Sequence, residues 1–345
     1  EGAELTIVTR RWDPAAPGTA LICDPFHIGS LWRDWGFARC VCRQLARRHF
    51  DLVQSHERIA CCDIYRAGDG VHREWLAQRD RVLGPVQRLG VRLNPYHRYM
   101  LAAERRLFHN PRLSAVICIS GMVKQGIVKP LAVAHQQLHV IYNGIDTDSF
   151  HPGLKQHGPP IRRQYGIPEH ASVFLFVGSG FRRKGLPNLL EAMRAMPAHA
   201  YLLVVGKDKE MSGFTRQAER LGLTARVRFA GGQKDVRPYY GAADALVFPT
   251  LYEPFGNVAL EAMATGLPVI TSTKSGSAEI VKPGINGYVC DALDLECLQQ
   301  SMRQMLDRPR CQAMGRAARD TVEPMTLQRM SKNLFDFYGA LLNPV

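Results

Sequence analysis

The segment Leu251–Ser272, LYEPFGNVALEAMATGLPVITS, places two carboxylates, Glu253 and Glu261, in mostly apolar surroundings. The acids lie eight residues apart, and between them runs Pro254–Asn257, PFGN, which can continue neither a strand nor a helix. Carboxylates are rarely buried unless a partner pairs with them. We therefore predict that a strand ends before Glu253, that a helix begins at the end of this turn, and that both acids serve one site.

Short apolar segments alternate with helical stretches along the whole chain, which is typical of parallel α/β sheets. The strands predicted in the first half are Glu4–Arg10, Asp51–His56, Ala115–Ser120 and Leu138–Gly144. Those predicted in the second half are Ser172–Ser179, Tyr201–Lys207, Val227–Gly232, Ala245–Thr250, Pro268–Ser272 and Gly287–Asp291. Predicted helices include Pro187–Met196, Gly213–Leu221 and Thr326–Leu342. Residues 151–168, with four Pro and three Gly, are predicted to be a linker between two Rossmann-like domains that face each other.

The composition indicates a basic protein of two domains. The length of 345 residues suggests two domains, and the formal net charge is +13. Residues 79–112 hold eight Arg and only two acids. Such a charge favours an anionic partner, either nucleic acid, acidic lipid or a phosphorylated sugar; the alternative is a charge that serves solubility.

The cysteines and the apolar segments indicate in which cellular compartment the protein is expected. There are nine Cys and no CxxC pair, and neither the Cys40/Cys42 nor the Cys61/Cys62 spacing suits a zinc site. We expect reduced core thiols in a cytosolic protein. No apolar run approaches the ~20 residues of a membrane span.

The loop after the first strand of the second half is basic. The sequence VGSGFRRKG brings Arg182, Arg183 and Lys184 beside a helix that is predicted to begin near Pro187. Cations beside a helix N-terminus form an anion site, because the free amides and the helix dipole add to the side-chain charge. The alternative is a solvated basic turn. Gly232, after another predicted strand, lets the backbone approach a flat ligand closely.

The two acids of the opening segment can flank one hydroxyl-rich ligand. Glu261 lies one helical turn beyond Asn257. A carboxylate that accepts two hydrogen bonds from a vicinal diol suits a ribose or a hexose. A pair of helix-surface acids is the alternative, but it leaves the turn and the apolar sequence VALEAMATGLPVI unexplained.

These motifs resemble the family 4 retaining glycosyltransferases of GT-B fold. The resemblance is carried by the E-x7-E pattern in EPFGNVALEAMATGLPVI, by RKG after a glycine turn, and by VIYNGIDTDSFHP. In the first half, NPYHRYMLAAERRLFHNPRL and DIYRAGDGVHREWL are similar to the lipopolysaccharide core glucosyltransferases, which move glucose from UDP-glucose to the first outer heptose. The resemblance implies an acceptor domain at 1–150, a nucleotide-sugar domain at 151–324, and a C-terminal helix within 325–345 that crosses back onto the first domain.

The resemblance also implies roles for residues of the second domain. Arg183 and Lys184 would hold the donor diphosphate, Glu253 would face the donor hexose, and Glu261 would take the ribose hydroxyls. Hexose hydroxyls and phosphate would meet the backbone of Phe255, Gly256, Asn257 and Val258, and the uracil would lie along the segment from Gly232 to Val236. Many members have an Arg four or five residues before the Lys, where this chain has Ser179 or Gly180, so Arg182 or Arg183 must supply that charge. The resemblance implies metal independence, no DxD motif appears in a metal-binding context, and no metal or other cofactor is expected; Arg and Lys would neutralise the departing UDP instead.

In the first domain the resemblance implies an acceptor site at Asp69 and His72. Asp69 occupies a position where the family often has His beside the reacting sugar, and it would orient the acceptor hydroxyl or the donor sugar. A plain Asp-Gly turn is the alternative. The family begins with a further strand, a glycine-rich loop and a helix before the strand that matches ELTIVTR, and we expect this chain to lack them.

Together these inferences predict a retaining hexosyltransferase that moves glucose from UDP-glucose to a phosphorylated lipopolysaccharide core acceptor. The predicted location is cytoplasmic, peripheral on the inner face of the cytoplasmic membrane. In the predicted helix YHRYMLAAERRLF, Tyr96, Tyr99, Ala103 and Leu107 lie near one face, whereas Arg98, Arg105 and Arg106 lie toward another and would dock on anionic lipid. The alternative is that some arginines pair with Asp80 and Glu104.

Two rival functions stay open. One is another family 4 transferase with an exopolysaccharide or small-molecule acceptor, which would not need the basic 79–112 region. The other is a basic, non-catalytic nucleic-acid-binding protein, which would leave the E-x7-E pair unexplained and has no accompanying binding motif. We expect no nucleic-acid partner. The sequence does not specify the donor hexose, the acceptor or the oligomeric state.

Overall fold

The computed structural model of the protein describes residues 4–13, 15–16, 18–131 and 133–342. Its strands, in chain order, are β1 (Thr6–Thr9), β2 (Thr19–Ile22), β3 (Gln54–Ser55), β4 (Ile64–Ala67), β5 (Ala115–Cys118), β6 (Leu138–Val140), β7 (Ser172–Val177), β8 (Ala200–Val205), β9 (Val227–Gly231), β10 (Ala245–Phe248), β11 (Val269–Ser272) and β12 (Gly287–Cys290). Its α-helices are α1 (Gly29–Leu45), α2 (His72–Asp80), α3 (Pro85–Leu93), α4 (Pro95–Phe108), α5 (Gly121–Leu131), α6 (Gly158–Gln164), α7 (Leu186–Arg194), α8 (Met211–Arg220), α9 (Arg237–Ala242), α10 (Asn257–Ala264), α11 (Leu295–Gln304), α12 (Arg308–Val322) and α13 (Leu327–Leu342).

The chain divides into two units. The first runs through Ile117 and includes Gly126–His139, and the second comprises Cys118–Gln125 and the chain from Val140 onward. The predicted segments 1–150, 151–324 and 325–345 stay predictions, and their ends at residues 1–3 and 343–345 lie outside the described residues. Within the described part of the chain, no helix has the length and apolarity that crossing a bilayer requires.

The second unit is built on a six-stranded sheet in the order β12-β11-β10-β7-β8-β9. Every pair of neighbours in it is parallel, which confirms the predicted architecture. The residues of β7, β10 and β11 are all buried, as expected for strands that helices cover on both faces. Because the strand order reverses between β7 and β10, the loops after these two strands open onto the crevice where ligands bind in such sheets.

The first unit contains a four-stranded sheet, β3-β4-β5-β6, and a separate parallel pair, β1-β2. The four strands predicted in this half all occur, but β1 does not share a sheet with the other three. The α/β class with parallel strands is confirmed.

The prediction of a linker at residues 151–168 was wrong. Most of residues 151–168 is helical, as a 3-10 helix, Pro152–His157, followed by α6. A proline is tolerated in the first turn of a helix, where its missing N–H would have no partner anyway. Gly158 allows close backbone contact, since a Cβ atom there would lie 2.5 Å from the carbonyl oxygen of Gly241 in α9.

The expectation of reduced cysteines also needs correction. A disulfide joins Cys42 of α1 to Cys61, nineteen residues further along the chain. It closes the loop between α1 and β4, next to a small core that includes Val41 and Ile59. The sequence could not show this pairing, because it depends on how α1 packs against the residues that precede β4.

Helix α13 confirms the predicted C-terminal helix, which begins one residue later than expected. Its start lies against Gly144, whose backbone N–H donates to the sulfur of Met330 at 3.3 Å. That contact lies within the second unit. The crossing of this helix back onto the first domain stays a prediction.

Candidate active site

The site in the second unit is built from two loops that follow β7 and β10, on either side of the sheet's reversal point. The β7 loop carries the basic sequence, and the β10 loop carries Glu253. The N–H of Leu251 donates to the carbonyl of Arg183 at 2.8 Å, and the Thr250 hydroxyl donates to the same oxygen at 3.3 Å. These backbone contacts hold the basic loop against the end of β10.

Arg183, Lys184 and Glu253, to which the resemblance gives roles in donor binding, form a charged cluster. Arg183 Nη1 donates to Glu253 Oε2 at 2.9 Å and to the carbonyl of Tyr252 at 2.8 Å. Lys184 Nζ lies 3.8 Å from the same carboxylate oxygen. The side chains of Lys184 and Glu253 are only 14% and 17% exposed, so their charges act in partly dry surroundings.

Lys184 folds back over the start of its own loop. Gly178 has φ +139°, a conformation that favours glycine, and a Cβ atom there would lie 2.5 Å from Lys184 Nζ. The ammonium lies 5.1 Å from the centroid of the Phe248 ring. Burial lowers the pKa of Lys184, while the charge of Glu253 acts in the opposite direction. The second domain therefore presents a partly buried cation at the reversal point of its sheet.

Arg182 points elsewhere. Its guanidinium pairs with Glu210 and lies 5.8 Å from the centroid of the Phe214 ring. Of the two arginines that could supply the second charge of the site, the structure brings Arg183 to Glu253. Arg182 is joined instead to the residues around the start of α8.

The turn between the two glutamates is clamped by the loop that follows β11. The N–H of Gly276 donates to the carbonyl of Glu253 at 2.9 Å, and that of Ser277 donates to the carbonyl of Phe255 at 2.8 Å. The Phe255 side chain is buried and leaves only its backbone for a ligand. Gly256, with φ +90°, directly precedes α10.

Helix α10 begins at Asn257, as predicted. The first N–H groups of a helix have no partners within it, so those of Asn257 and Val258 can meet an anion or a hydroxyl group. The Asn257 side chain accepts a hydrogen bond of 2.8 Å from the Asn143 amide. Glu261 stands one turn further along, partly buried, and burial raises the pKa of its carboxyl group.

A buried tyrosine that the sequence analysis missed completes the site. The Tyr240 hydroxyl donates to Glu261 Oε2 at 2.5 Å. The only signal for it was indirect: a glutamate in an apolar helix needs a partner, and the adjacent pair Tyr239-Tyr240 offered hydroxyl groups. Which of the two faced Glu261 depended on how α9 packs.

The predicted uracil segment lies between β9 and α9. Gly232 follows β9, and the aliphatic chain of Lys207 lies directly over it, so a Cβ atom there would displace that side chain. Val236 immediately precedes α9. Because the segment follows β9, which runs parallel to β7 and β10 in the same sheet, it lies at the same end of the sheet as the other loops.

The two residues predicted for the acceptor lie in the first unit. Asp69 is exposed in the turn after β4, with its carboxylate 3.9 Å from the Arg58 guanidinium. His72 begins α2 and is buried, and its N–H donates to Glu104 at 2.6 Å. The His72 ring is 3.1 Å from a ring nitrogen of His97, and burial lowers its pKa to about 4. The ring is therefore neutral near pH 7 and already engaged.

The described residues contain no group of three or more His, Cys, Asp or Glu that could hold a metal ion. The residues that can hold a polar, anionic ligand are those of the charged cluster, Glu261 and the first residues of α10.

Comparisons with known proteins give the class. The model described as "Glycosyltransferase Family 4" matches residues 1–149, and the model described as "Glycosyl transferases group 1" matches residues 159–321. The chain is a glycosyltransferase that combines these two domains in a GT-B fold.

Within that class, the chain is similar to the lipopolysaccharide glucosyltransferase WaaG. It is 29% identical to "Lipopolysaccharide glucosyltransferase WaaG" of Escherichia coli (strain K12), over 97% of this chain and 90% of the relative. It superposes on the crystal structure of "WaaG, a glycosyltransferase involved in lipopolysaccharide biosynthesis" with a TM-score of 0.82 and 25% identity, covering 97% of this chain and 91% of the other. HepE of Anabaena, solved in complex with UDP-glucose, shares the fold, with a TM-score of 0.73 and 19% identity over 93% of this chain and 86% of that one.

Proposed function

We propose that this glycosyltransferase moves a hexose, glucose from UDP-glucose, to a phosphorylated lipopolysaccharide core acceptor with retention of anomeric configuration. The observation that carries the proposal is the cluster of Arg183, Lys184 and Glu253 at the sheet's reversal point, with Glu261 on the adjoining helix. Cations there suit a diphosphate, and carboxylates suit the hydroxyls of ribose and hexose. The name of the relative WaaG and the ligand in the HepE structure support the same donor and acceptor.

The reaction is a front-side displacement. An acceptor hydroxyl oxygen forms a bond to the anomeric carbon on the face from which UDP leaves, and the bond between that carbon and the phosphate oxygen breaks. The departing phosphate oxygen takes the acceptor proton. Because negative charge grows on the diphosphate, Lys184 and Arg183 bind the transition state more strongly than the ground state. Asp69 orients the acceptor hydroxyl.

A donor screen tests this function. UDP release is measured with UDP-glucose, UDP-galactose and UDP-N-acetylglucosamine, with and without purified core lipid. We expect acceptor-dependent UDP release to be fastest with UDP-glucose. If UDP release is fastest with another UDP-sugar, that sugar is the donor. Release only with soluble acceptors would favour an exopolysaccharide or small-molecule acceptor. Absence of release with every donor would contradict the proposed function.

We also propose that the surface formed by α3 and α4 docks on anionic lipid. On α4, Arg98, Arg105 and Arg106 are exposed, and Arg106 lies 6.0 Å from the centroid of the Tyr99 ring. On α3, Val86, Leu89 and Leu93 share one exposed face, at 84%, 57% and 62%. Exposed basic and apolar groups on two successive helices suit the interface of a bilayer.

The acids near this surface do not neutralise the α4 arginines. Glu104 is buried and accepts a hydrogen bond of 2.9 Å from Arg58, while Asp80 lies 3.9 Å from Arg92. Pairing with these two acids, the alternative raised by the sequence, therefore does not account for Arg98, Arg105 and Arg106.

Vesicle co-sedimentation tests the docking. Each basic residue near an anionic surface contributes about 1 kcal/mol, screened by salt. Replacing Arg98, Arg105 and Arg106 by Gln should weaken binding to anionic vesicles at low salt and leave UDP affinity unchanged. If the wild-type protein binds neutral and anionic vesicles equally, or if the triple variant binds as well as the wild type, the docking is wrong.

A further inference from the structure

Tyr240 is a buried hydroxyl-bearing residue beside the proposed donor site. Its side chain has no exposed surface, and its hydroxyl lies 2.5 Å from Glu261 Oε2. A second, longer contact of 3.5 Å joins the same hydroxyl to the carbonyl of Val258. Both acceptors belong to α10, so the hydroxyl bridges from α9 to the helix that carries the predicted ribose ligand.

The direction of this hydrogen bond is fixed by the chemistry of its partners. Burial raises the pKa of Tyr240 well above its usual value, so the phenol keeps its proton and donates it. A carboxylate can only accept, and it has lone pairs for about four hydrogen bonds. One oxygen of Glu261 is therefore held by the protein, while Oε1 stays available for the two hydroxyls of a vicinal diol.

The Tyr240 ring is itself held firmly. It packs edge to face against Phe150, with ring centroids 5.7 Å apart. Helix α9 in turn packs on the helical segment that replaces the predicted linker, where Gly158 and Gly241 bring the two backbones into contact. Because its ring is held in this way, the Tyr240 hydroxyl can set the orientation of Glu261 before the ligand arrives.

We propose that Tyr240 is a positioning residue for donor binding: it fixes the Glu261 carboxylate so that it accepts hydrogen bonds from the ribose hydroxyls of the nucleotide. This inference rests on the proposed function, because it takes the ligand of Glu261 to be a ribose. It adds a residue that acts on the nucleotide only through Glu261. Tyr240→Phe should therefore affect only ligands that carry those hydroxyls.

Calorimetric titration with UDP and with 2′,3′-dideoxy-UDP isolates this effect. The ratio of the two dissociation constants reports the ribose hydroxyls alone, since both ligands carry the same uracil and diphosphate. The wild type should prefer UDP, and Glu261→Ala should lose that preference. Tyr240→Phe should reduce it by roughly 3- to 10-fold, the effect of one typical hydrogen bond, because the Glu261 carboxylate itself remains.

Tyr239→Phe is the matched control. Tyr239 lies on the same helix and is also buried, but its hydroxyl faces that of Tyr165 at 3.4 Å. Its loss should leave the UDP preference unchanged. If Tyr240→Phe, like Tyr239→Phe, keeps the wild-type ratio of the two dissociation constants, the positioning role is wrong. It is also wrong if Tyr240→Phe weakens the binding of both ligands equally. A wild type that binds UDP without preferring it over the dideoxy ligand would overturn the ribose role and, with it, this inference.

The pH dependence of the same ratio gives a second readout, which a purely structural role would not move. The titratable groups that act on Glu261 are Tyr240 and Lys184, both of which favour its carboxylate form against the effect of burial. Removing the Tyr240 hydroxyl raises the pKa of Glu261. The pH at which the UDP preference disappears on acidification should therefore be higher for Tyr240→Phe than for the wild type. An unchanged pH would contradict the proposal.

Discussion

Replacement of Lys184 by alanine should lower kcat far more than it raises the KM for the donor. Lys184 Nζ stands 3.8 Å from Glu253 and is largely shielded from water. Two unit charges about 4 Å apart interact by about 4 kcal/mol at the effective dielectric constant of a protein surface. Loss of one preorganised hydrogen-bond donor that stabilises developing charge typically costs about 2.7–4 kcal/mol, which corresponds to about 10²–10³-fold in kcat. We expect a loss in this range for Lys184→Ala.

The loss should fall on kcat because the charge of the leaving UDP grows only as the glycosidic bond breaks. Steady-state UDP release, with UDP-glucose varied at saturating acceptor, separates the two constants. Lys184→Arg should recover part of the rate because it keeps the charge, and Lys332→Ala should have no effect because Lys332 is an exposed residue paired with Asp336 on α13. A raised KM with kcat intact would make Lys184 a plain anchoring residue and would refute this reasoning.

Three further predictions concern other parts of the molecule. Arg183→Gln should reduce kcat/KM for the donor more than Arg182→Gln, since Arg183 lies 2.9 Å from Glu253 whereas Arg182 faces Glu210; equal losses would show that the two arginines share the role. Burial lowers the pKa of His72 to about 4, so its contribution to stability is present above its unfolded pKa and is lost as pH falls from about 6.5 toward 4. In thermal unfolding, His72→Gln should flatten the decline of the melting temperature as pH falls from 7 to 5. The variant His109→Gln, at an exposed site, should not. Cys42→Ser, compared with Cys297→Ser in denaturant unfolding without reductant, should lower the free energy of unfolding by about 3 kcal/mol, because the disulfide closes a loop of 19 residues; equal stabilities would contradict it.

The sheet of the second unit was predictable because its strands are continuous apolar runs separated by recognisable turns. Five of the six predicted strands contain an observed one, and the sixth, Tyr201–Lys207, overlaps β8, which begins one residue earlier. The first unit was harder to predict. Its strands are shorter, β3 is reduced to two residues, and the strand pairing depends on backbone contacts that no local pattern records. The helical segment after Pro152 was missed because proline and glycine suggest a loop, although both also occur at helix starts and close helix contacts.

The charged cluster of the candidate site could be predicted for a related reason. Arg183, Lys184 and Glu253 follow two strands of one parallel sheet, and the carboxyl ends of such strands meet at one edge. The sequence could not show which of Arg182 and Arg183 contacts Glu253, because the side chains of adjacent loop residues point in different directions. Nor could it identify Tyr240, whose contact with Glu261 spans 21 residues and depends on the packing of α9.

The most direct test of the central claim is transfer of labelled glucose from UDP-glucose to purified core lipid, followed by NMR of the new glycosidic linkage. We predict that label appears in the lipid, that one UDP is released for each glucose transferred, and that the linkage keeps the α configuration of the donor. A β linkage would contradict the retaining mechanism. Failure to transfer the sugar of any UDP donor to the lipid, by a protein that is folded at the same temperature, would contradict the proposed function itself.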